Sequence, residues 1–292
     1  MADLRASWVG TTTSARTVRV AARDLANFAA GVQSRRRAYY DDTAPGGICS
    51  FPTFSSRLSW RAVKDLWSTL IALGCSPEVM ERQVHYRTEI RNFRHFRPGE
   101  EVQVTTRVTR MTRHRAGTLM ATEVSIQGAD GKPICEESVE GMLRGVSCDA
   151  PADPLSAEPP SEPAGTGPEI SLRFDVPMLL PYQYDGCADI HFPIHSSPAY
   201  ARKAGLPGII VQGSATLALC VDRICDWIAP TDAPVTAPIV RAKYAGYLLP
   251  GEEVILTARA NRNATSRAEM SFALRTAEGR EILKEGSLAL AW

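Results

Sequence analysis

The chain has almost no excess of charge of either sign, no paired-cysteine motif and no long apolar run. Its 33 Lys and Arg offset 32 Asp and Glu, leaving a formal net charge of +1. That balance supplies no electrostatic footprint for nucleic acid. Arg35, Arg36 and Arg37 form the one basic run, which reads as a solvated face. The seven cysteines (Cys49, Cys75, Cys135, Cys148, Cys187, Cys220 and Cys225) are odd in number, scattered and without C-x-x-C spacing. This argues against a disulfide framework and against zinc. Charges interrupt the apolar stretches, so no membrane span is expected. Met1-Ala2-Asp3-Leu4-Arg5 is not followed by the apolar core of a secretory signal. A reducing, cytoplasmic setting is the expectation. Histidine is also scarce, five in all, so two within five residues stand out.

What is present describes an ordinary globular protein. Hydrophobic residues make up 44% and charged residues 22% of 292 positions, enough chain for two domains and a sizeable core. Residues 148–169 are rich in proline and have almost nothing to bury, which predicts an extended linker. The expected division is therefore an N-terminal domain at 1–147, the linker at 148–169 and a C-terminal domain at 170–292.

The two halves read as copies of one unit. Arg97-Pro98-Gly99-Glu100-Glu101-Val102 in the first corresponds to Leu249-Pro250-Gly251-Glu252-Glu253-Val254 in the second. Pro-Gly suits the central positions of a type II turn. Period-two apolar alternation follows each, through Val102, Val104 and Val108 or Val254, Leu256 and Ala258. A second strand, a turn at Asp130-Gly131-Lys132 or Glu278-Gly279-Arg280, and a closing strand repeat in the same order. One helix precedes each set: from about Trp60 to Leu73, with Val63, Leu66, Trp67, Leu70 and Ile71 on one side, and from about Ser214 to Ile228, apolar nearly all round. A buried helix followed by a long antiparallel sheet predicts an α+β unit with the sheet wrapped around the helix.

The chemistry concentrates in Ala188-Asp189-Ile190-His191-Phe192-Pro193-Ile194-His195, followed by Gly208-Ile209-Ile210-Val211-Gln212-Gly213 at the start of the second helix. An acid and imidazoles can move protons at neutral pH. A glycine at a helix start can offer a bare N–H to an oxyanion. Each residue also has a plainer reading. His195 could bond a backbone carbonyl from a loop, His191 could pack beside Phe192, Asp189 could cap the following turn, and Gly213 could serve close packing. His191 and His195 have ligand-like spacing but no third ligand. His85, His95 and His114 read as structural. The region of the first half that corresponds to the motif, residues 31–42, has no histidine, so one active site per chain is expected.

The chain resembles the MaoC-like dehydratase group, which includes (R)-specific enoyl-CoA hydratases, over nearly its whole length. In the first half the resemblance lies in Ser50-Phe51-Pro52-Thr53-Phe54 and the Arg97-Pro98-Gly99-Glu100 turn. In the second it lies in Tyr184, Asp189, Pro193-Ile194-His195, the short helix Pro198-Ala199-Tyr200-Ala201-Arg202-Lys203-Ala204-Gly205, and Gln212-Gly213. Asp189 to His195 is one residue longer than the group's motif, and Phe192 or His191 stands where the group has Asn. The resemblance implies a double hotdog fold with a non-catalytic N-terminal domain and a catalytic C-terminal one. It implies addition of water to an enoyl thioester, or its removal from a 3-hydroxyacyl thioester. His195 would handle the water, Asp189 or His191 would complete the acid/base pair, and the Gly213 N–H would hold the thioester oxygen. Tyr184, Phe192, Pro193, Gln212 and Ser214 would meet substrate, with Trp60 and Trp67 as candidate walls.

No metal or redox cofactor is expected, and CoA or phosphopantetheine enters as part of the substrate. The partner is thus an acyl-CoA or an acyl carrier protein, with Arg202 and Lys203 placed to meet carrier phosphates. No nucleic acid or membrane partner is expected, and a homodimer is one assembly the fold allows. A thioesterase on the same fold and a non-catalytic acyl-binding or scaffold protein are the alternatives.

Overall fold

The computed structural model describes every residue except 1, 2, 45, 152–166, 231 and 232. Most of the expected linker lies outside the described residues. The first half contains β1 (Arg16–Arg19), α1 (Ala22–Gly31), a 3-10 turn at Arg37–Tyr39, α2 (Ser55–Ala72), α3 (Pro77–Glu81), β2 (Gln83–Asn92), β3 (Glu101–His114), β4 (Gly117–Gly128) and β5 (Pro133–Arg144). The second contains β6 (Glu169–Asp175), α4 (Leu180–Ala188), a 3-10 turn at Pro193–His195, α5 (Pro198–Lys203), α6 (Gly213–Ile228), β7 (Thr236–Tyr244), β8 (Glu253–Ala264), β9 (Arg267–Thr276) and β10 (Glu281–Ala291).

All ten strands form one sheet in the order β1-β3-β4-β5-β2-β7-β10-β9-β8-β6. The first half contributes 1-3-4-5-2, and the second repeats that order in mirror sequence from the other edge. The duplication read in the turns is therefore present in the topology, and the fold is the expected α+β double hotdog. The halves join where β2 and β7 pair antiparallel, from Arg87 opposite Lys243 to Arg91 opposite Ile239. Gly99 and Gly251 have φ of 83° and 82°, the positive values that a type II turn demands and glycine adopts without penalty.

Helices α2 and α6 lie under this sheet. Leu217, Leu219, Val221 and Ile224 of α6 are buried, and full burial of each such side chain stabilises the fold by about 1.5–3 kcal/mol. Val63, Leu66 and Leu70 of α2 face the core as expected, but Ile71 is exposed. Helix α2 also begins five residues before Trp60. Ser55, Ser56 and Ser59 hide that start from an apolar-periodicity reading, yet all three are buried. Ser55 and Ser59 donate to the Glu137 carboxylate at 2.8 and 2.9 Å.

Arg36 corrects the expectation of a solvated basic face. It is 1% exposed. Its guanidinium donates to the Cys225, Pro230 and Ala233 carbonyls at 3.2, 2.5 and 3.1 Å. A planar fork of five donors suits the carbonyls that gather at and just past the end of a helix, and the Asp226 carboxylate lies 3.5 Å from the same guanidinium. Arg36 thus fastens the first half to the end of α6. Among the described residues no helix is long and apolar enough to cross a membrane.

Candidate active site

A cavity opens between the halves, with about 40 Å³ of room. Its walls come from α2, β2 and β5 of the first half and from Ile190, α6 and β7 of the second. The N-terminus of α6 is its focal point. Gln212 precedes the helix but does not cap it. The Gln212 amide instead donates to the carbonyls of Pro181 (2.9 Å) and, weakly, Ile190 (3.5 Å). It therefore ties α4 and the motif loop to the start of α6. The first-turn N–H groups, at the positive end of the helix dipole, have no intrahelical carbonyl to meet.

Gly213 is required here by space. A Cβ on it would lie 2.8 Å from His85 Nδ1 and 3.0 Å from a Tyr244 ring carbon. His85 stacks on Tyr244 with centroids 5.1 Å apart and planes 15° apart. Burial lowers the His85 pKa to about 4, so this imidazole is neutral at ordinary pH. Ser214, 7% exposed, borders the cavity beside Gly213.

His195 lies in the 3-10 turn that Pro193 opens. Its Nδ1 is 2.8 Å from the Ile210 carbonyl oxygen. A carbonyl only accepts, so Nδ1 carries the proton and Nε2 keeps its lone pair. Burial holds the His195 pKa down at about 4, against the opposing pull of that bond, with the nearby His85 lowering it further. His85 thus packs against Gly213 and borders the cavity with Ser214, while His195 lies close enough to His85 for their charges to interact.

The remaining motif residues lie differently. Asp189 ends α4 in the left-handed region, φ 57° and ψ 37°, a conformation Asp tolerates better than most residues. Its carboxylate pairs with Arg61 of α2. His191 is exposed, with Nδ1 3.8 Å from Asp189 and Nε2 3.5 Å from Lys64 Nζ. Neither residue is among those that line the cavity, and His195 is not among them either. Ile190 between them points in and does line it. Phe192 is half-buried in an aromatic cluster with Trp60, Trp67 and Tyr200, at centroid distances of 6.1–6.3 Å. Trp60 borders the cavity, whereas Trp67 packs behind it. Tyr184 is buried edge-on against Phe28 at 5.7 Å, with its hydroxyl beside that of Ser214. Pro193 is exposed, as are Arg202 and Lys203 at the end of α5.

Residues 7–137 match the model of the FAS1-like dehydratase domain region, and residues 184–279 match that of the MaoC-like domain. The chain belongs to the MaoC-like dehydratase group. The enoyl-CoA hydratase ChsH3 of Mycobacterium tuberculosis is 35% identical over 96 residues, 31% of this chain and 33% of that protein. The match thus spans a third of the curated relative's length. A solved MaoC-like dehydratase has a TM-score of 0.79 at 14% identity, covering 98% of this chain and 99% of its own. A conserved hypothetical protein of M. tuberculosis, described as having a double hotdog fold, has a TM-score of 0.66 at 14% identity, covering 97% of this chain and 96% of its own. At such identities these structures speak to the fold alone.

The FAS1-like half supplies the cavity residues that the motif did not reveal. His85 read as structural, yet it faces Gly213 of the MaoC-like half. Glu137 sits on β5 at a position whose period-two neighbours, Cys135 and Val139, are buried apolar residues. A carboxylate at an inward position of a strand was the available signal. Burial raises the Glu137 pKa to about 7, with the Ser55, Ser59 and Ser56 hydroxyls opposing the shift.

Proposed function

We propose that the protein is a hydro-lyase that adds water to an enoyl thioester, or removes it from a 3-hydroxyacyl thioester, on CoA or an acyl carrier protein. The observation that carries this reading is the His195 ring. One nitrogen is committed to the Ile210 carbonyl, and the other keeps its lone pair, on a ring within electrostatic reach of the His85 that packs against Gly213. Membership of the MaoC-like group and the hydratase name of the ChsH3 relative support the same class of reaction.

In the hydration direction the thioester oxygen accepts from the Gly213 N–H, where the helix dipole favours negative charge. A water held by His195 Nε2 loses a proton to that nitrogen as its oxygen bonds to the β carbon. The electron pair of the double bond moves onto the α carbon and thioester oxygen, giving an enolate-like species. The imidazolium then returns the proton to the α carbon, and His195 is neutral again. Burial keeps His195 neutral above about pH 4, so it is ready to accept a proton at neutral pH. Gly213 has no side chain to block the acyl group, and Gln212 holds the loop against the helix. In this assignment Asp189, through its pair with Arg61, fixes the loop across the interface between the halves, while His191 stands at the rim.

The test is direct. Crotonyl-CoA and longer enoyl-CoAs are incubated with the full chain while the conjugated absorbance and free thiol are followed. Absorbance should fall without thiol release. His195→Ala should slow it about 10²–10⁴-fold, the usual contribution of a positioned acid/base. Thiol release would replace this reading with a thioesterase. Unchanged absorbance with every enoyl-CoA, or an unimpaired His195→Ala protein, would sink it.

A further inference from the structure

The cavity is unlike a slot for a hydrocarbon tail. Its room, about 40 Å³, takes only about three water-sized groups, whereas drug-sized ligand pockets run to roughly 300–1,000 Å³. Its first-half wall sets polar groups among the apolar Trp60, Val63 and Val139. Gln83, Thr88 and Glu137 all border it, and Thr88 and Glu137 are each 3% exposed. Two buried polar atoms around it have no hydrogen-bond partner, Gln83 Oε1 and Trp60 Nε1, and the Thr88 hydroxyl lies beside that of Tyr244. Together they offer an acceptor, a donor and a hydroxyl that is both.

Local backbone features hold these groups in place. Gly141 on β5 leaves room for Gln83, whose side chain lies where a Cβ would stand, at 2.6 Å. A register shift between His85 and Arg87 in the β2–β5 ladder resets the strand so that Thr88 points in as well as His85. Glu137 has its own cradle of Ser55 and Ser59. With a pKa raised by burial to about 7, it both donates and accepts at neutral pH. An alkyl group placed against this wall would leave each orphaned group unpaired.

We infer that the first half selects the substrate: the cavity takes a short acyl group bearing an oxygen function, hydroxyl or carboxyl, beyond the reacting carbons, with Gln83, Thr88 and Glu137 as its receptors. The inference rests on the hydratase reading for the thioester and for the position of the reacting carbons. It assigns to the FAS1-like half a role in specificity that requires no catalytic motif there. A site built around hydrogen bonds rejects an analogue that lacks them far more strongly than an apolar pocket rejects a misfit.

The experiment measures binding of saturated thioesters, which cannot be hydrated, to the full chain by titration calorimetry. The ligands are butyryl-CoA, 4-hydroxybutyryl-CoA, succinyl-CoA and octanoyl-CoA. At least one oxygenated four-carbon thioester should bind about tenfold or more tighter than butyryl-CoA, with octanoyl-CoA weakest. Glu137→Leu and Thr88→Val should each cut that ratio, while Tyr39→Phe, remote from the cavity wall, should keep it. If Glu137→Leu does not fold, Thr88→Val and Gln83→Leu give the same reading. Tightest binding of octanoyl-CoA, a ratio untouched in all the wall variants, or no binding of any of the four would overturn the inference. A protein that binds the oxygenated thioester tightly yet hydrates no enoyl-CoA would refute the hydratase reading and leave this one standing.

Discussion

A short helix, then a 3-10 turn, then a long buried helix occurs once in each repeat, and the two occurrences have been put to different uses. In the second repeat the turn Pro193–His195 carries an imidazole, and the long helix starts at Gly213. In the first the turn Arg37–Tyr39 carries a phenol, and Phe54 precedes the helix. Tyr39 and Phe54 are both buried with Phe28 and Phe51 in one aromatic cluster, at centroid distances of 5.3–5.8 Å. The difference teaches that one copy of a duplicated unit can fill its interior with rings and still wall a cavity shared with the other, because β2 and α2 of the first repeat line it together with α6 and β7 of the second.

The comparison is broken most sharply at the two turns themselves. His195→Ala should abolish most enoyl-CoA hydration, by about 10²–10⁴-fold, whereas Tyr39→Phe should leave the rate within experimental error. Equal losses would mean that the repeats do not differ in role. Next in size comes the anchor between them. Arg36→Ala strips partners from three carbonyls near the end of α6, and should cost about 3 kcal/mol of stability in a denaturant titration. It should do so with little change in KM, because it lies at the far end of α6 from Gly213.

Glu137→Gln sharpens the comparison through pH. A carboxyl whose folded pKa lies above its unfolded value loses stability as pH rises, since the unfolded chain releases the proton first. Wild-type stability from this group is full below about 4.5 and is lost as pH rises through about 7. The Gln variant should therefore gain on wild type by about 3 kcal/mol between those limits and no further above them. The groups acting on Glu137 are the Ser55, Ser56 and Ser59 hydroxyls, with the Tyr184, Tyr244 and Cys135 side chains close by. A flat difference between the two chains across that range would remove the buried carboxyl from the account. Burial of His85 and His195 works with the opposite sign, since their lowered pKa values withdraw stability as pH falls from about 6.5 toward 4.

The smallest effect is steric. Gly213→Ala places a methyl group against the stacked His85–Tyr244 pair. It should lower kcat/KM about tenfold while the protein remains folded, an outcome that steady-state kinetics and a thermal melt together would show.

Much of the fold was legible because its signals are local. Pro98-Gly99 and Pro250-Gly251 announce their turns by chemistry, and strand alternation needs only neighbours along the chain. The motif made His195 and Gly213 visible for the same reason. Asp189 and His191 share that motif, yet a left-handed residue at the end of α4 points the Asp189 carboxylate toward Arg61 and leaves His191 exposed. Backbone direction at a helix end is not written in residue spacing. Arg36 read as surface because a basic run usually is; the carbonyls and the Asp226 carboxylate around the end of a helix nearly 200 positions later give its charge a reason to be buried.

By itself, then, the sequence determined a duplicated α+β unit and one imidazole-bearing loop ahead of a glycine-started helix, since period, turn chemistry and motif all act within a few residues. Only the tertiary structure decided that His85, Glu137 and Ser214 share a cavity. Their meeting depends on β2 and β7 pairing at the centre of one continuous sheet, a contact between distant segments that fixes which inward-facing side chains confront one another.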